Sequence, residues 1–129
     1  MKTKLASQVM TTELVTATVD MLLTDVMDLL VSRSIECLPV IDEDRNLLGV
    51  ITAYDVMNAA ASGQADQTTV GDTMSTDVLS FAPEDDLAAI VNACLAKRMH
   101  RVPIVKDGKA VGLISRLDIL REILALYHR

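Results

Sequence analysis

The sequence predicts an α/β fold of the α+β kind, built from two copies of one small unit. Three observations lead to this prediction. A length of 129 residues suits a single compact module. A content of 50% hydrophobic but only 2% aromatic residues requires an aliphatic core, which suits strands and helices in layers. Finally, one pattern of residues occurs twice along the chain, which indicates an internal repeat.

The repeat begins near Met10 and again near Met74, at an offset of 64 residues. The offset falls to 63 after the second matching segment, which indicates a one-residue deletion at a polar hairpin tip. In the second copy this tip contains Asp107-Gly108, a strong tight-turn signal. We predict repeat 1 at 7–62, a linker at 63–70 and repeat 2 at 71–128. The matching segments are 9–12 with 73–76, 37–41 with 101–105, and 49–55 with 112–118.

The first element predicted in each copy is an amphipathic helix with one buried face. In copy one, Thr18 is a candidate cap for the helix. In copy two, Pro83 at a first helical position, followed by acidic residues, predicts the helix start. Apolar residues recur at helical spacing, namely Leu23, Val26, Met27 and Leu30, and then Leu87, Ile90, Val91, Cys94 and Leu95.

Two short strands and a second helix complete each copy. Short segments rich in β-branched residues predict strands at 37–42, 47–52, 101–106 and 110–115, and helices follow at 55–62 and 118–127. Each copy has only about 60 residues and would be marginally stable alone. We therefore expect a pseudo-two-fold arrangement of βαββα repeats, with the small sheets packed together and the helices outside.

Charge and missing motifs exclude several classes of function. A net charge of -6 disfavours nucleic acid and anionic membranes as partners. No segment approaches the ~18 apolar residues of a membrane span, and we expect a cytoplasmic protein. Cys37 and Cys94 lack metal-ligand spacing with His100 or His128 and are expected to be buried thiols. The common nucleotide-binding and hydrolase motifs are absent from the sequence.

A hydroxyl followed three residues later by a carboxylate occurs at both predicted strand-to-helix junctions, as Thr52 with Asp55 and as Ser115 with Asp118. The carboxylate can accept hydrogen bonds from a ribose diol, while the hydroxyl and the helix N-terminus favour a phosphate. The same residues can instead cap the following helix. Both interpretations stay open for a single motif, and the duplication favours ligand binding.

The full set of duplicated features resembles the cystathionine-beta-synthase domain, or CBS domain, as a tandem pair over residues 7–127. These features are the early Met, the amphipathic helix, the Pro-containing strand, the hairpin and the Gly-containing segment that ends in Asp55 or Asp118. The resemblance implies a Bateman module with an adenosine-containing ligand, of the AMP, ADP or ATP class, in clefts between the repeats.

The resemblance also implies which residues would line the two clefts, since each combines the hydroxyl and carboxylate of one repeat with residues of the other. The first cleft would contain Gly49, Thr52, Asp55, Val78, Leu79, Met99, His100 and Arg101. The second would contain Gly112, Ser115, Asp118, Leu14, Val15, Ile35, Glu36 and Cys37, with Arg116 as a further candidate.

The two clefts are expected to differ in charge. His100 and Arg101 suit a phosphate, although Arg101 could equally pair with a surface acid, whereas Glu36 and Cys37 do not attract one. We therefore expect the Asp55 cleft to prefer AMP or ATP. The Asp118 cleft should favour an uncharged or cationic adenosine compound, or stay empty. Met57 and Met99 are candidates for contact with an adenine.

The functional expectation is a non-enzymatic regulatory module that senses an adenine nucleotide, needs no other cofactor and reports to a regulated protein. The alternatives are a ligand-free interaction or dimerisation module, an S-adenosylmethionine sensor, and a small nucleotide-processing enzyme. The enzyme is disfavoured because no nucleophile is paired with an oriented base. Apolar faces on the helices at 55–62 and 118–127 predict a homodimer, and Ala59, Ala60 and Ala61 are candidate contacts.

Overall fold

The computed structural model describes residues 4–128. It has the α+β character predicted from the sequence, with helices and two separate two-stranded antiparallel sheets. In chain order the elements are α1 (Ala6–Val9), α2 (Leu23–Arg33), β1 (Cys37–Ile41), β2 (Leu47–Thr52), α3 (Ala53–Ala60), α4 (Val70–Thr73), α5 (Leu87–Lys97), β3 (Arg101–Lys106), β4 (Lys109–Ser115) and α6 (Arg116–Tyr127).

The chain divides into two compact units whose limits differ from those of the sequence repeats. We call Val15–Val78 the central unit, and the chain up to Leu14 together with the chain from Leu79 onward the split unit. The segment around Met10, which opens repeat 1, therefore belongs to the unit that contains the strands of repeat 2. The segment around Met74, which opens repeat 2, lies in the unit that contains the strands of repeat 1.

In the central unit, β1 and β2 pair antiparallel, with Cys37 opposite Thr52. Single bridges extend this sheet on both sides, from Ala17 to Val40 in parallel and from Ser75 to Val50 in antiparallel orientation. The leading strand of the predicted βαββα unit is thus reduced to one bridging residue. The apolar stripe of α2 packs on the sheet, and the core consists of Ala17, Leu23, Val26, Leu30, Leu38, Val40, Ile51, Val56 and Val70.

The split unit repeats this plan with its own strands. Here β3 and β4 pair antiparallel, with Arg101 opposite Ser115, and bridges from Phe81 to Ile104 and from Thr11 to Leu113 extend the sheet. The core consists of Ala6, Leu87, Ile90, Val102, Ile104, Ile114 and Ile119. The N-terminal segment thus contributes the completely buried Ala6 to a core otherwise made by residues from 87 onward.

The predicted starts of the long helices were wrong. Helix α2 begins at Leu23 and α5 at Leu87, several residues after Thr18 and Pro83. The Thr18 hydroxyl donates to Asp20 Oδ1 at 2.7 Å. Pro83 lies in a turn, in which Asp85 Oδ2 accepts from the amide of Ala82 at 2.7 Å. In both places an acidic side chain stabilises a turn before the helix, which delays its start.

The strands and hairpins agree with the sequence prediction to within one residue. Asp107 and Gly108 both have positive φ angles, of 52° and 80°, as a tight two-residue hairpin turn requires. The predicted linker ends in Val70, which is completely buried and begins the short helix α4. Among residues 4–128, none of the helices has the length and apolar character needed to cross a bilayer.

Candidate functional site

The strand-to-helix junction of the central unit carries Thr52 and Asp55 in a reciprocal capping box. Thr52 Oγ1 accepts from the amide of Asp55 at 3.2 Å, and Asp55 Oδ2 accepts from the amide of Thr52 at 3.0 Å. Both side chains thereby satisfy amides that the helix itself leaves unpaired. The capping interpretation is confirmed, and the second oxygen of Asp55, Oδ1, has no protein hydrogen bond among the described residues.

The equivalent junction of the split unit carries the same box with additional contacts. Asp118 Oδ2 accepts from the amide of Ser115 at 2.8 Å and from its hydroxyl at 3.1 Å. The amide of Asp118 donates to Ser115 Oγ at 3.4 Å. Asp118 Oδ1 accepts from Arg121 Nη1 at 3.1 Å. Both oxygens of Asp118 therefore have protein partners.

Within each unit, the chain just before the first strand lies beside the capping box. In the central unit the amide of Ala53 donates to the Glu36 carbonyl at 2.8 Å, and Cys37 is the ladder partner of Thr52. In the split unit the amide of Arg116 donates to the His100 carbonyl at 2.9 Å. Arg101 is the ladder partner of Ser115 in the same way. This backbone pairing fixes which predicted residues share a unit.

The two junctions therefore differ in charge. The Asp55 site consists of Glu36, Cys37, Thr52 and Asp55, and it carries two carboxylates without a basic side chain. The Asp118 site consists of His100, Arg101, Ser115, Arg116 and Asp118, and it carries one carboxylate with two guanidinium groups. The predicted pairing of Asp55 with His100 and Arg101 across the repeats stays a prediction.

Most of the apolar residues predicted for the clefts are half-buried within their own units. Val15 and Ile35 pack against the core of the central unit, where Val78 is also half-buried. Met99 packs against the core of the split unit, in which Leu14 and Leu79 are half-buried. Met57, the other candidate adenine contact, is 70% exposed on α3.

Gly49 and Gly112 have a clear structural reason to be glycine. A Cβ atom on Gly49 would overlap the carbonyl oxygen of Ser75, which belongs to the strand-like segment beside β2. A Cβ atom on Gly112 would overlap the side chain of Met10. In each unit the missing Cβ of the glycine thus leaves space for the segment that carries the early methionine of the other repeat. Contact of these two glycines with a ligand stays a prediction.

Two residues were not predicted from the sequence, namely Arg121, which contacts Asp118, and its counterpart in the central unit, Asn58. Both residues follow the carboxylate of the motif by three positions. Since residues three apart share a helix face, this spacing was the signal that could have revealed them.

Neither cysteine is part of a metal-binding cluster. No group of three or more His, Cys, Asp or Glu side chains that could hold a metal ion occurs within residues 4–128. Cys37 is buried, as predicted, whereas Cys94 is only half-buried. Burial nevertheless raises the pKa of the Cys94 thiol, which keeps it protonated near neutral pH.

Comparison with known families agrees with the duplicated architecture. The model of the CBS domain matches residues 6–62 and again residues 70–125. The chain belongs to the CBS domain family. The tandem CBS pair and the fold class that the sequence predicts are both confirmed.

Solved CBS pairs resemble this chain over nearly its whole length. The crystal structure of CBSX2 in complex with AMP, a protein of Arabidopsis thaliana, matches with a TM-score of 0.84 and 27% identity. This match covers 95% of our chain and 98% of CBSX2. The CBS pair of protein MJ0100, in complex with 5′-methylthioadenosine and S-adenosyl-L-methionine, matches with a TM-score of 0.86 and 22% identity, over 95% of our chain and 98% of its own. At 22% identity, the match to MJ0100 supports the fold assignment alone.

Curated relatives carry such pairs inside longer chains. The gamma subunit of 5′-AMP-activated protein kinase from Saccharomyces cerevisiae is 32% identical over 109 residues, 78% of this chain and 34% of the subunit. Inosine-5′-monophosphate dehydrogenase from Methanocaldococcus jannaschii is 30% identical over 119 residues, 92% of this chain. This chain spans only 23% of the length of that enzyme.

Proposed function

We propose that this CBS pair is a non-enzymatic regulatory module that binds an adenosine-containing ligand through Asp55 and Asp118. The observation that carries the proposal is the pair of capping boxes, each of which fixes a carboxylate beside the first turn of a helix. At Asp55 the box uses only Oδ2, so Oδ1 can accept from a ribose hydroxyl without loss of the cap.

The relatives support the ligand class. CBSX2 binds AMP and MJ0100 binds two adenosine compounds, and both share the fold of this chain. A carboxylate that accepts from two vicinal hydroxyls suits a ribose, and the amides at a helix N-terminus suit a phosphate. Adenosine, AMP, ADP, ATP and S-adenosylmethionine all contain the ribose, so the proposal commits to the nucleoside and leaves its 5′ group to the experiment.

The expected affinity is moderate. AMP has about 23 heavy atoms, and about 0.3 kcal/mol per atom gives a binding free energy of about -7 kcal/mol, or a Kd of about 10 μM. Calorimetric titration of the purified protein with AMP, ADP, ATP and S-adenosylmethionine tests this expectation. Flat heats with all four ligands at millimolar concentration would contradict the proposal and favour the ligand-free alternative.

Substitution of Asp55 or Asp118 by asparagine distinguishes a role in ligand binding from a role in helix capping. The side chain of Asp55→Asn keeps an oxygen for the amide of Thr52 but replaces the second acceptor by an N–H donor. Charged hydrogen bonds contribute about 1.5–3 kcal/mol, so the variant should bind AMP about 10- to 100-fold more weakly at that site while it melts near the wild-type temperature. Glu43→Gln, at the exposed tip of the β1–β2 hairpin, is the matched control. A nucleotide affinity unchanged in both Asp55→Asn and Asp118→Asn would refute the assignment.

We also propose that the pair forms a homodimer through α3 and α6. Tyr54 and Met57 on α3 are 75% and 70% exposed, and α6 exposes Leu117, Leu120, Leu124 and Tyr127. Apolar patches of this kind are typical of association surfaces, and two-fold closure is the commonest solution. Light scattering at micromolar concentration should return twice the chain mass of 14.0 kDa, and a value near 14.0 kDa would contradict the dimer.

A further inference from the structure

The two motif carboxylates are engaged to different degrees. Asp55 makes its hydrogen bond through Oδ2 only, whereas Asp118 uses Oδ2 for Ser115 and Oδ1 for Arg121. The Asp118 side chain is 14% exposed and the Arg121 side chain is 72% exposed. A ribose diol that approaches Asp118 therefore meets an oxygen that already accepts a charged hydrogen bond.

The difference results from one position in the repeat. Arg121 follows Asp118 by three residues on α6, and Asn58 follows Asp55 by three residues on α3. Residues at this spacing are neighbours on a helix surface, so an arginine there reaches back to the carboxylate. The Asn58 side chain is exposed and uncharged, and it makes no hydrogen bond to the described residues. The neighbouring acid on α6, Glu122, is paired with Lys4 at 2.8 Å.

Resting on the proposed function, we propose that Arg121 sets the ribose affinity of the Asp118 site, because its ion pair must be displaced before the diol can bind. The position equivalent to Arg121 thus makes the two sites unequal. The Asp118 site binds an uncharged nucleoside more weakly than it would with Asn at position 121, and added salt weakens the competing ion pair. Exposed ion pairs contribute about 0.2–1 kcal/mol, which corresponds to a change of about 1.4- to fivefold in Kd.

The test uses adenosine, which has no phosphate that an arginine could attract. An Asp55→Asn background isolates the Asp118 site, and an Asp118→Asn background isolates the Asp55 site. In the first background, Arg121→Gln should lower the Kd for adenosine by about 1.4- to fivefold, while Arg121→Lys, which keeps the charge, should change it less. In the second background, Asn58→Arg should raise the Kd by a similar factor.

Salt provides a readout that a purely structural role of Arg121 would not alter. With Arg121 present, adenosine should bind the Asp118 site more tightly as sodium chloride is raised, and Arg121→Gln should remove this dependence. An unchanged or higher Kd in Arg121→Gln, with wild-type melting temperature, would overturn the inference and leave the proposed function intact. If neither the parent protein nor any variant bound adenosine or AMP, the proposed function would fail and the inference with it.

Discussion

The central and split units share a helix, a β-hairpin and a second helix in the same order, with the same capping box, yet their candidate sites differ in charge. The box at Asp55 is flanked by Glu36 and Cys37, whereas the box at Asp118 is flanked by Arg101 and Arg116 and paired with Arg121. The cap fixes where the carboxylate lies, because its hydrogen bonds are part of the helix start. The neighbouring positions can vary without disturbing the cap, and these positions give each site its electrostatic character.

The glycine contacts differ in a similar way. In the central unit, the atom that would meet a Cβ on Gly49 is the backbone oxygen of Ser75, which is held by hydrogen bonds in both directions with Val50 at 2.9 Å. In the split unit, the atoms that would meet a Cβ on Gly112 belong to the flexible side chain of Met10. A thioether side chain can move aside, but a paired backbone segment cannot do so without loss of its hydrogen bonds.

The largest predicted effect concerns these glycines. Gly49→Ala should destabilise the protein by about 1–3 kcal/mol, because the new methyl group forces the Ser75 segment away from β2. Gly112→Ala should cost less, because the Met10 side chain can adopt another rotamer. The free energy of unfolding from urea titrations of the two variants provides the measurement.

Methionine variants serve as the controls for this comparison. In a Met10→Ala background, Gly112→Ala should cost less than in the parent protein, because the Cγ and Sδ atoms that overlap most are gone and only the Cβ of residue 10 stays close. In a Met74→Ala background, Gly49→Ala should keep its full cost, because the overlap is with backbone. A Gly112→Ala variant that is destabilised more than Gly49→Ala would show that the two contacts have been ranked wrongly.

A smaller effect is expected from the capping hydroxyls. Thr52→Ala removes the acceptor for the amide of Asp55, and Ser115→Ala removes the acceptor for the amide of Asp118 together with a donor to its carboxylate. Each should lower the free energy of unfolding by about 0.5–2 kcal/mol, with Ser115→Ala the more damaging. Thr52→Ser and Ser115→Thr keep the hydroxyl and should change stability by less than half as much. A greater loss in Thr52→Ala would mean that the additional hydroxyl contact at Asp118 contributes little.

The sequence was sufficient to predict the fold class because the signals for it are local and occur twice. Strand limits followed from short runs rich in β-branched residues, and the position of both hydroxyl–carboxylate pairs followed from their spacing after a glycine. The prediction that these pairs lie at strand-to-helix junctions was confirmed. Duplication strengthens these predictions, because each weak signal in one copy recurs in the other.

Other features depend on competition or on contacts distant in sequence. Pro83 and the acids after it suit a helix start, but the Asp85 side chain accepts from the amide of Ala82 and stabilises a turn instead. The exchange of the Met10 and Met74 segments between the two sequence repeats depends on pairing with Leu113 and Val50, which no local pattern encodes. The Arg121 contact has only a three-residue spacing as its sequence signal, and the engagement of both Asp118 oxygens is a property of the folded structure.

The smallest predicted effect uses the one cysteine in each unit as a reporter of that unit. Cys37 lies in β1 of the central unit and is 6% exposed, whereas Cys94 lies on α5 of the split unit and is half-buried. Alkylation requires access to the sulfur as a thiolate. In native buffer Cys94 should therefore react faster than Cys37, which must wait for local opening of its sheet.

The pH dependence of the split unit follows from the raised pKa of Cys94. Burial disfavours the thiolate in the folded protein, so this group contributes stability that is present below the pKa of an unfolded cysteine and is lost as the pH rises through the folded value. The free energy of unfolding should fall as the pH rises above the ordinary pKa of a cysteine, about 8.5, and Cys94→Ala should show a smaller fall than the parent protein. Alkylation of Cys94 should likewise accelerate at higher pH than that of a free cysteine. If Cys94→Ala kept the full decline, or if Cys37 were the faster thiol to react, the contrast between the tightly covered strand of the central unit and the more accessible helix of the split unit would be wrong.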